Sequence, residues 1–117
     1  MATPLGPYSP VVQAGEWVIV SGQLGVVVGV LQDDVVSQTA AVIRNLESRL
    51  GEAGGGLADV VKTTCFLTDM SLFEEFNAAY AKSFGPIRPA RSTVGVAALP
   101  LGAVVEIEAW ARRGGGE

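Results

Sequence analysis

Val104-Val105-Glu106-Ile107-Glu108-Ala109-Trp110-Ala111-Arg112-Arg113 is the stretch whose reading decides the fold. It alternates with the two-residue period of a β-strand. Val105, Ile107, Ala109 and Ala111 make an apolar face suited to packing under helices. Val104, Glu106, Glu108 and Trp110 make the other face, which no helix of this chain can also cover. Two carboxylates beside a tryptophan and a valine suit a sheet surface covered by another subunit. A one-residue shift of register would exchange the two sets.

Working outward, Leu99-Pro100-Leu101-Gly102 joins this strand to one over Arg91 to Ala97, and Pro86 and Pro89 bracket the loop before that. A helix is expected from about Ser71 to Phe84, with Ser71 as N-cap and Glu74 three residues on in a capping-box pattern. Val60 to Thr68 is β-branched and alternating, with Val61, Thr63, Cys65 and Leu67 on one face and Lys62, Thr64, Phe66 and Thr68 on the other. Another helix is expected to start at Asp33-Asp34 and to stop at Gly54-Gly55-Gly56. Val36, Ala40, Ile43, Leu46 and Leu50 form its apolar stripe. Val11 to Gln13 and Trp17 to Ser21 read as a hairpin through Ala14-Gly15-Glu16, and Val26 to Leu31 as a further short strand. The order ββ(β)αβαββ implies an α+β sandwich: one mixed sheet of about six strands with both helices on one face. Residues 1–113 are expected to form one domain, with Gly114 to Glu117 a frayed tail.

The chain has 117 residues, 49% of them hydrophobic and only 17% charged. A mean hydropathy of +0.38 is high for a small soluble domain and points to burial by oligomerisation. No apolar run approaches the ~20 residues of a membrane span, and no signal-peptide pattern opens the chain, so a cytoplasmic protein is expected. The net charge of −4 and the lack of a basic cluster beyond Arg112-Arg113 argue against nucleic-acid binding. A single cysteine excludes an intrachain disulfide framework, and Cys65 reads as a small buried hydrophobe. There is no histidine, hence no Ser or Cys triad, no His general base and no His zinc ligand. Neither a metal nor a cofactor is expected. Chemistry here must run on carboxylates, hydroxyls, amides, backbone and water.

The chemical candidate in that inventory is Pro89-Ala90-Arg91-Ser92-Thr93-Val94, followed by Glu106 and Glu108. A guanidinium reads a carboxylate through two parallel N–H donors, and a carboxylate not spent on Arg91 could position water. Arg91 and Thr93 are two apart and share a strand face. Taken singly, an arginine in a strand is most often a surface ion-pair partner and a glutamate a solvated charge. Tyr8 reads as a packing aromatic, Ser21 as a turn residue and Asn77 as a solvent-facing helix residue. Arg88 reads as solvent-facing rather than as a second cleft charge.

Together the segments resemble the family called RidA, YjgF or UK114, the reactive-intermediate deaminases. The matching residues are Gly6-Pro7-Tyr8-Ser9, Ser21-Gly22-Gln23, Val60 to Thr64, Phe66 to Met70, Phe76 to Tyr80, and Pro89 to Val94 through Leu99-Pro100 to Glu108. The resemblance implies a chorismate-mutase-like fold of six strands and two helices. It also implies a homotrimer with clefts at the subunit interfaces. The implied reaction is hydrolysis of 2-aminoacrylate, through 2-iminopropanoate, and of related imino acids to 2-oxo acids and ammonia. Arg91 and Glu106 would be catalytic; Arg91, Thr93, Tyr8, Ser21 and Asn77 would bind substrate. Thr93 stands where the family often has cysteine, and Leu101 where it often has lysine. A non-catalytic trimer binding small carboxylates is the alternative, and the RNA cleavage attached to relatives fits this acidic chain poorly.

Overall fold

The alternating stretch forms the central strand of the sheet. In the structure, a computed structural model that describes residues 4–113, the elements in chain order are β1 (Val11–Ala14), β2 (Trp17–Leu24), β3 (Val26–Val27), β4 (Val30–Leu31), α1 (Val35–Glu52), β5 (Val60–Leu67), α2 (Phe73–Phe84), β6 (Ala90–Gly95) and β7 (Val105–Arg112). The main sheet runs β1-β2-β7-β5-β6. All its pairings are antiparallel except β5 with β6, which are parallel and joined through α2. The sheet therefore has five strands, not six. The expected strand over 26–31 is instead a separate ribbon of β3 and β4. Val28 and Gly29, with φ of 49° and 78°, turn the chain back on itself there, so the segment is too short to join the sheet.

Both helices cover one face. Val105, Ile107, Ala109 and Ala111 are fully buried beneath them with Val18, Val20, Cys65 and Leu67. From above come Val42, Ile43, Leu46 and Leu50 of α1 and Phe76, Tyr80 and Phe84 of α2. Burying a side chain of this size stabilises by about 1.5–3 kcal/mol. Three local expectations need correction. The stripe of α1 holds at Ile43, Leu46 and Leu50 but departs in the first turns, where Val35, Thr39 and Val42 are buried, Ala40 is only partly so and Val36 is exposed. A bulge between Val60 and Lys62 leaves Val60 buried and turns Val61 to solvent, while Thr63, Cys65 and Leu67 face the core as expected. Ser71 does not cap α2; Asp69 accepts hydrogen bonds from the Ser71 amide and hydroxyl and caps a 3-10 turn over Met70–Leu72 that leads into the helix. The helix start expected at Asp33-Asp34 holds: Asp34 caps α1, accepting from the Ser37 amide, while Ser37 Oγ accepts from the Asp34 amide.

The opposite sheet face carries Trp17, Ile19, Phe66, Glu106, Glu108 and Trp110, and among the described residues no helix packs over it. Trp17 and Trp110 meet edge to face at 6.0 Å, and Trp110 is still 44% exposed. The frayed tail expected over 114–117 lies outside the described residues, as does the segment 1–3 of the domain expected over 1–113.

Candidate functional site

Arg91 sits on β6, the edge strand, directly beside Thr63 of β5. That register turns it toward the helix side, where α2 receives it. Its Nη2 donates to Asn77 Oδ1 at 2.8 Å. Its Cζ lies 5.7, 5.4 and 5.0 Å from the ring centroids of Phe73, Phe76 and Tyr80, within cation–π range of all three. Phe73, Phe76, Asn77 and Tyr80 follow at helical spacing, so a single face of α2 supplies the whole cradle. Tyr80 is fixed in turn by a 2.7 Å hydrogen bond between its hydroxyl and Thr63 Oγ1 in the core. Among the described residues no carboxylate pairs with Arg91. The ordinary fate of a strand arginine, a surface ion pair, is not what the structure gives it. Most of its donors are unspent, and it opens into a pocket of about 270 Å³ lined by Asn77, Tyr80, Ala81, Arg88, Pro89 and Arg91.

Thr93 follows on the same face beside Cys65. Its Oγ1 is buried without a hydrogen-bond partner that meets ordinary geometry. Cys65 is no nucleophile: burial pushes its thiol up to about 11, against weaker lowering by the Thr63 contact, Arg91 and Thr93.

Glu106 lies on the other side of the sheet. Its neighbours on β7, Val105 and Ile107, are buried toward the helices, so Glu106 projects onto the uncovered face with Glu108. Burial, and secondarily the charge of Glu108, push its carboxyl above the usual range. Gly22 makes room for it: a Cβ at that position would stand 2.6 Å from Glu106 Oε2. The glycine lies in the bulge of β2 between Val20 and Gln23. Ser21, in the same bulge, donates from Oγ to the Ser9 carbonyl at 2.7 Å and so ties β2 to the loop that carries Tyr8. Tyr8 is half exposed and accepts from the Leu5 amide.

The six sequence candidates thus fall into two groups. Arg91, Thr93 and Asn77 stand together at the helix side of β6. Glu106 is on the opposite face, near the β2 bulge of Ser21, which tethers the Tyr8 loop. One protomer does not bring Arg91 and Glu106 to one point. The larger cavity, about 750 Å³, belongs to neither Arg91 nor Glu106: α1, the β3–β4 hairpin and the loop of Leu5 and Tyr8 enclose it. Size is a poor guide here, because Arg91 with its unspent donors is at the smaller pocket. Sequence reading missed the aromatic cradle and the room made by Gly22. The 73, 76, 77, 80 spacing was a usable signal for the first; a strand bulge leaves none for the second.

Among the described residues, no three cysteine, aspartate or glutamate side chains gather as a metal cage requires. No helix among them is long and apolar enough to cross a membrane. What the arrangement offers is an oriented guanidinium with free donors, and, on another face, a carboxyl that holds its proton more tightly than usual.

The chain is thus a small α+β sandwich whose edge strand holds an arginine without a carboxylate partner among the described residues. The family model described as Endoribonuclease L-PSP matches residues 1–113, and the chain belongs to that family, also known as RidA/YjgF/UK114. It is 43% identical over 107 residues to Reactive Intermediate Deaminase A, chloroplastic, of Arabidopsis thaliana, covering 89% of this chain and 57% of that one. A RutC family protein of Pyrococcus abyssi is 39% identical over 109 residues, 91% of this chain and 86% of that protein. Among solved structures, RidA from the Antarctic bacterium Psychrobacter superposes with a TM-score of 0.90 at 39% identity, covering 94% and 91% of the two chains. TdcF of E. coli with bound serine gives 0.90 at 36% identity, with the same coverage.

Proposed function

We propose that the protein is an enamine/imine deaminase that hydrolyses 2-iminopropanoate, the tautomer of 2-aminoacrylate, and related imino acids to 2-oxo acids and ammonia. The observation that carries this reading is Arg91: a guanidinium fixed by Asn77 and three rings yet left without a carboxylate. Such a group suits a ligand carboxylate, and in an imino acid that carboxylate adjoins the electrophilic C=N carbon. Binding it orients the reacting carbon, which is most of what a spontaneously hydrolysable imine needs. Thr93 lies next along the same strand face, where its backbone helps to seat the substrate.

Glu106 manages the water. Water adds to the imine carbon, a proton reaches the nitrogen, and the tetrahedral adduct collapses to the 2-oxo acid as ammonia leaves. A carboxyl whose proton affinity is raised suits that relay, taking a proton from water and returning it to the departing amine. Because Arg91 and Glu106 occupy opposite sheet faces, their cooperation requires two copies of the chain. The uncovered face with Trp17, Trp110 and Glu106 is where a second copy docks, in the homotrimer that the family resemblance implies. Tyr8 and Ser21 then line the cleft from the Glu106 side, and Asn77 and Thr93 from the Arg91 side. The Arabidopsis relative's name supports the activity. A cytoplasmic location is part of the same proposal, although relatives from Arabidopsis and yeast are named chloroplastic and mitochondrial.

The serine bound in the TdcF structure favours one other reading, a carboxylate-binding sensor without turnover. The two separate in one assay. A dehydratase generates 2-aminoacrylate, and semicarbazide traps the surviving imine. The deaminase shortens imine lifetime and Arg91→Ala removes that effect; a wild-type protein with no effect on several amino-acid-derived imines leaves only the sensor.

A further inference from the structure

The pocket beside Arg91 contains a second guanidinium. Arg88 lines it together with Arg91, Asn77 and Tyr80, and no lining residue is acidic. Arg88 is exposed, as its loop position suggests, but it is not a loose surface charge. Its Nη1 donates to the carbonyl oxygens of Gly85 and Ile87. The first of these follows the last turn of α2, where the helix dipole favours a cation. That anchoring orients the guanidinium through backbone alone and leaves its remaining donors unspent. Among the described residues neither Arg88 nor Arg91 forms an ion pair. Both act on the same phenol: burial pushes the Tyr80 hydroxyl up, and Arg91 and Arg88 pull against that shift.

Two unpaired cations sharing a small pocket is an unusual arrangement in this chain, which has twelve acidic residues, eight basic ones and a net charge of −4. Like charges at close range repel. One ligand carboxylate on Arg91 leaves the charge of Arg88 uncompensated; a second anionic group removes the mismatch. We propose that Arg88 is a specificity-determining residue, and that the site prefers imino acids carrying a second carboxylate on a short side chain. Arg91 takes the carboxylate next to the imine and Arg88 the distal one. This inference rests on the deaminase reading for the chemistry but not for the ligand class. The bonds made and broken are unchanged: water adds at the C=N carbon, ammonia leaves, and the distal carboxylate stays intact. A volume of about 270 Å³ lies just below the ~300 Å³ at which ligand sites begin, which suits a short diacid rather than a long chain. The reactions that would supply such substrates remove two electrons and two protons from the amino carbon and nitrogen of an acidic amino acid, passing them to a separate oxidant of the flavin or nicotinamide class, or eliminate the hydroxyl of a β-hydroxylated acidic amino acid as water.

Calorimetric titration of the assembled protein with 2-oxoglutarate and with 2-oxobutyrate tests the ligand class directly. The wild type is expected to bind the dicarboxylate at least about tenfold more tightly, one charge-assisted contact's worth. Arg88→Gln is expected to shrink that ratio about tenfold. If Arg88 only caps α2, Arg88→Gln lowers thermal stability and leaves the ratio as it was. Should that variant not fold, Arg88→Lys keeps a cation at the helix end while losing the planar fork, and its ratio must also fall. A wild-type ratio near one, a ratio untouched in both variants, or no binding of either acid overturns the proposal. Parallel assays of 2-iminoglutarate and 2-iminobutanoate separate it from the reaction. Selective binding without hydrolysis of any imine would sink the deaminase and keep the ligand class. Hydrolysis with no preference would do the reverse.

Discussion

Replacing Arg91 by lysine keeps the positive charge and removes the fork. In the structure the guanidinium spends Nη2 on Asn77 at 2.8 Å and rests on three rings with 5.0 to 5.7 Å to their centroids. An ammonium on a shorter, flexible stem can satisfy Asn77 or a ligand carboxylate, but it cannot present two parallel donors to the carboxylate. One charge-assisted hydrogen bond contributes about 1.5–3 kcal/mol, so Arg91→Lys is expected to lower kcat/KM for 2-iminopropanoate by about 10- to 150-fold. Stability should move far less. The lysine remains a cation near the rings, and cation–π contacts at such sites contribute only about 0.5–1 kcal/mol each. The assay is semicarbazide-trapped imine loss, with urea unfolding of the same preparations. Activity within about threefold of wild type would show that a point charge suffices and that the fork is irrelevant. A large loss of stability with proportionate loss of activity would return Arg91 to a structural role in holding β6 against α2.

Glu106→Gln should stabilise the fold at neutral pH. Burial raises the native pKa of Glu106 above its unfolded value, so the folded protein binds this proton more tightly and its charged form is disfavoured above that pKa. The advantage of glutamine is therefore full above the native pKa, shrinks as pH falls through it, and vanishes below about 4.3, the unfolded carboxyl value. Unfolding at fixed protein concentration across pH 4 to 8 checks this (a range set by that unfolded value, at about 4.3); a glutamine variant less stable than wild type at neutral pH would reveal a stabilising partner for the charge. Val28→Asn should also raise stability, by about 1 kcal/mol. Val28 is 97% exposed with φ of 49°, a left-handed conformation that costs a β-branched residue about 1–2 kcal/mol and asparagine less. Thermal unfolding reads the gain, and an unchanged or lower midpoint counts against strain at this turn.

The sequence was most legible where period and burial agree. The alternation over 104–111 gave the buried face of β7 residue for residue, because a central strand with one helix-covered side has nowhere else to put Ile107 and Ala109. The same rule gave Arg91 and Thr93 a common face. It failed at Val61, where a bulge inserts one residue and reverses the faces upstream, and at 26–31, where six residues fold back on themselves instead of joining the sheet. The departure of the stripe in the first turns of α1 has a related cause. Thr39 and Gln38 are buried, and Gln38 bonds the Gln32 carbonyl and the Val104 amide, so polar residues occupy the inner face that an apolar count assigns to others. The site residues were identified one by one, but their partition was not. Strand faces become comparable only once the pairing order β7-β5-β6 is known. Family resemblance implies clefts between subunits, and the sheet places Arg91 and Glu106 on opposite faces of one copy.

That division of the site is the central claim, and mixing two dead variants tests it most directly. Arg91→Ala and Glu106→Gln chains, differently tagged, are co-expressed, and the mixed assemblies are isolated through both tags. If each site takes Arg91 from one copy and Glu106 from its neighbour, every mixed trimer that carries both tags has one of its three sites restored, about a third. Imine hydrolysis near a third of the wild-type rate is the expected result. Mixed assemblies no more active than either parent would place both residues in one subunit's site and contradict the claim.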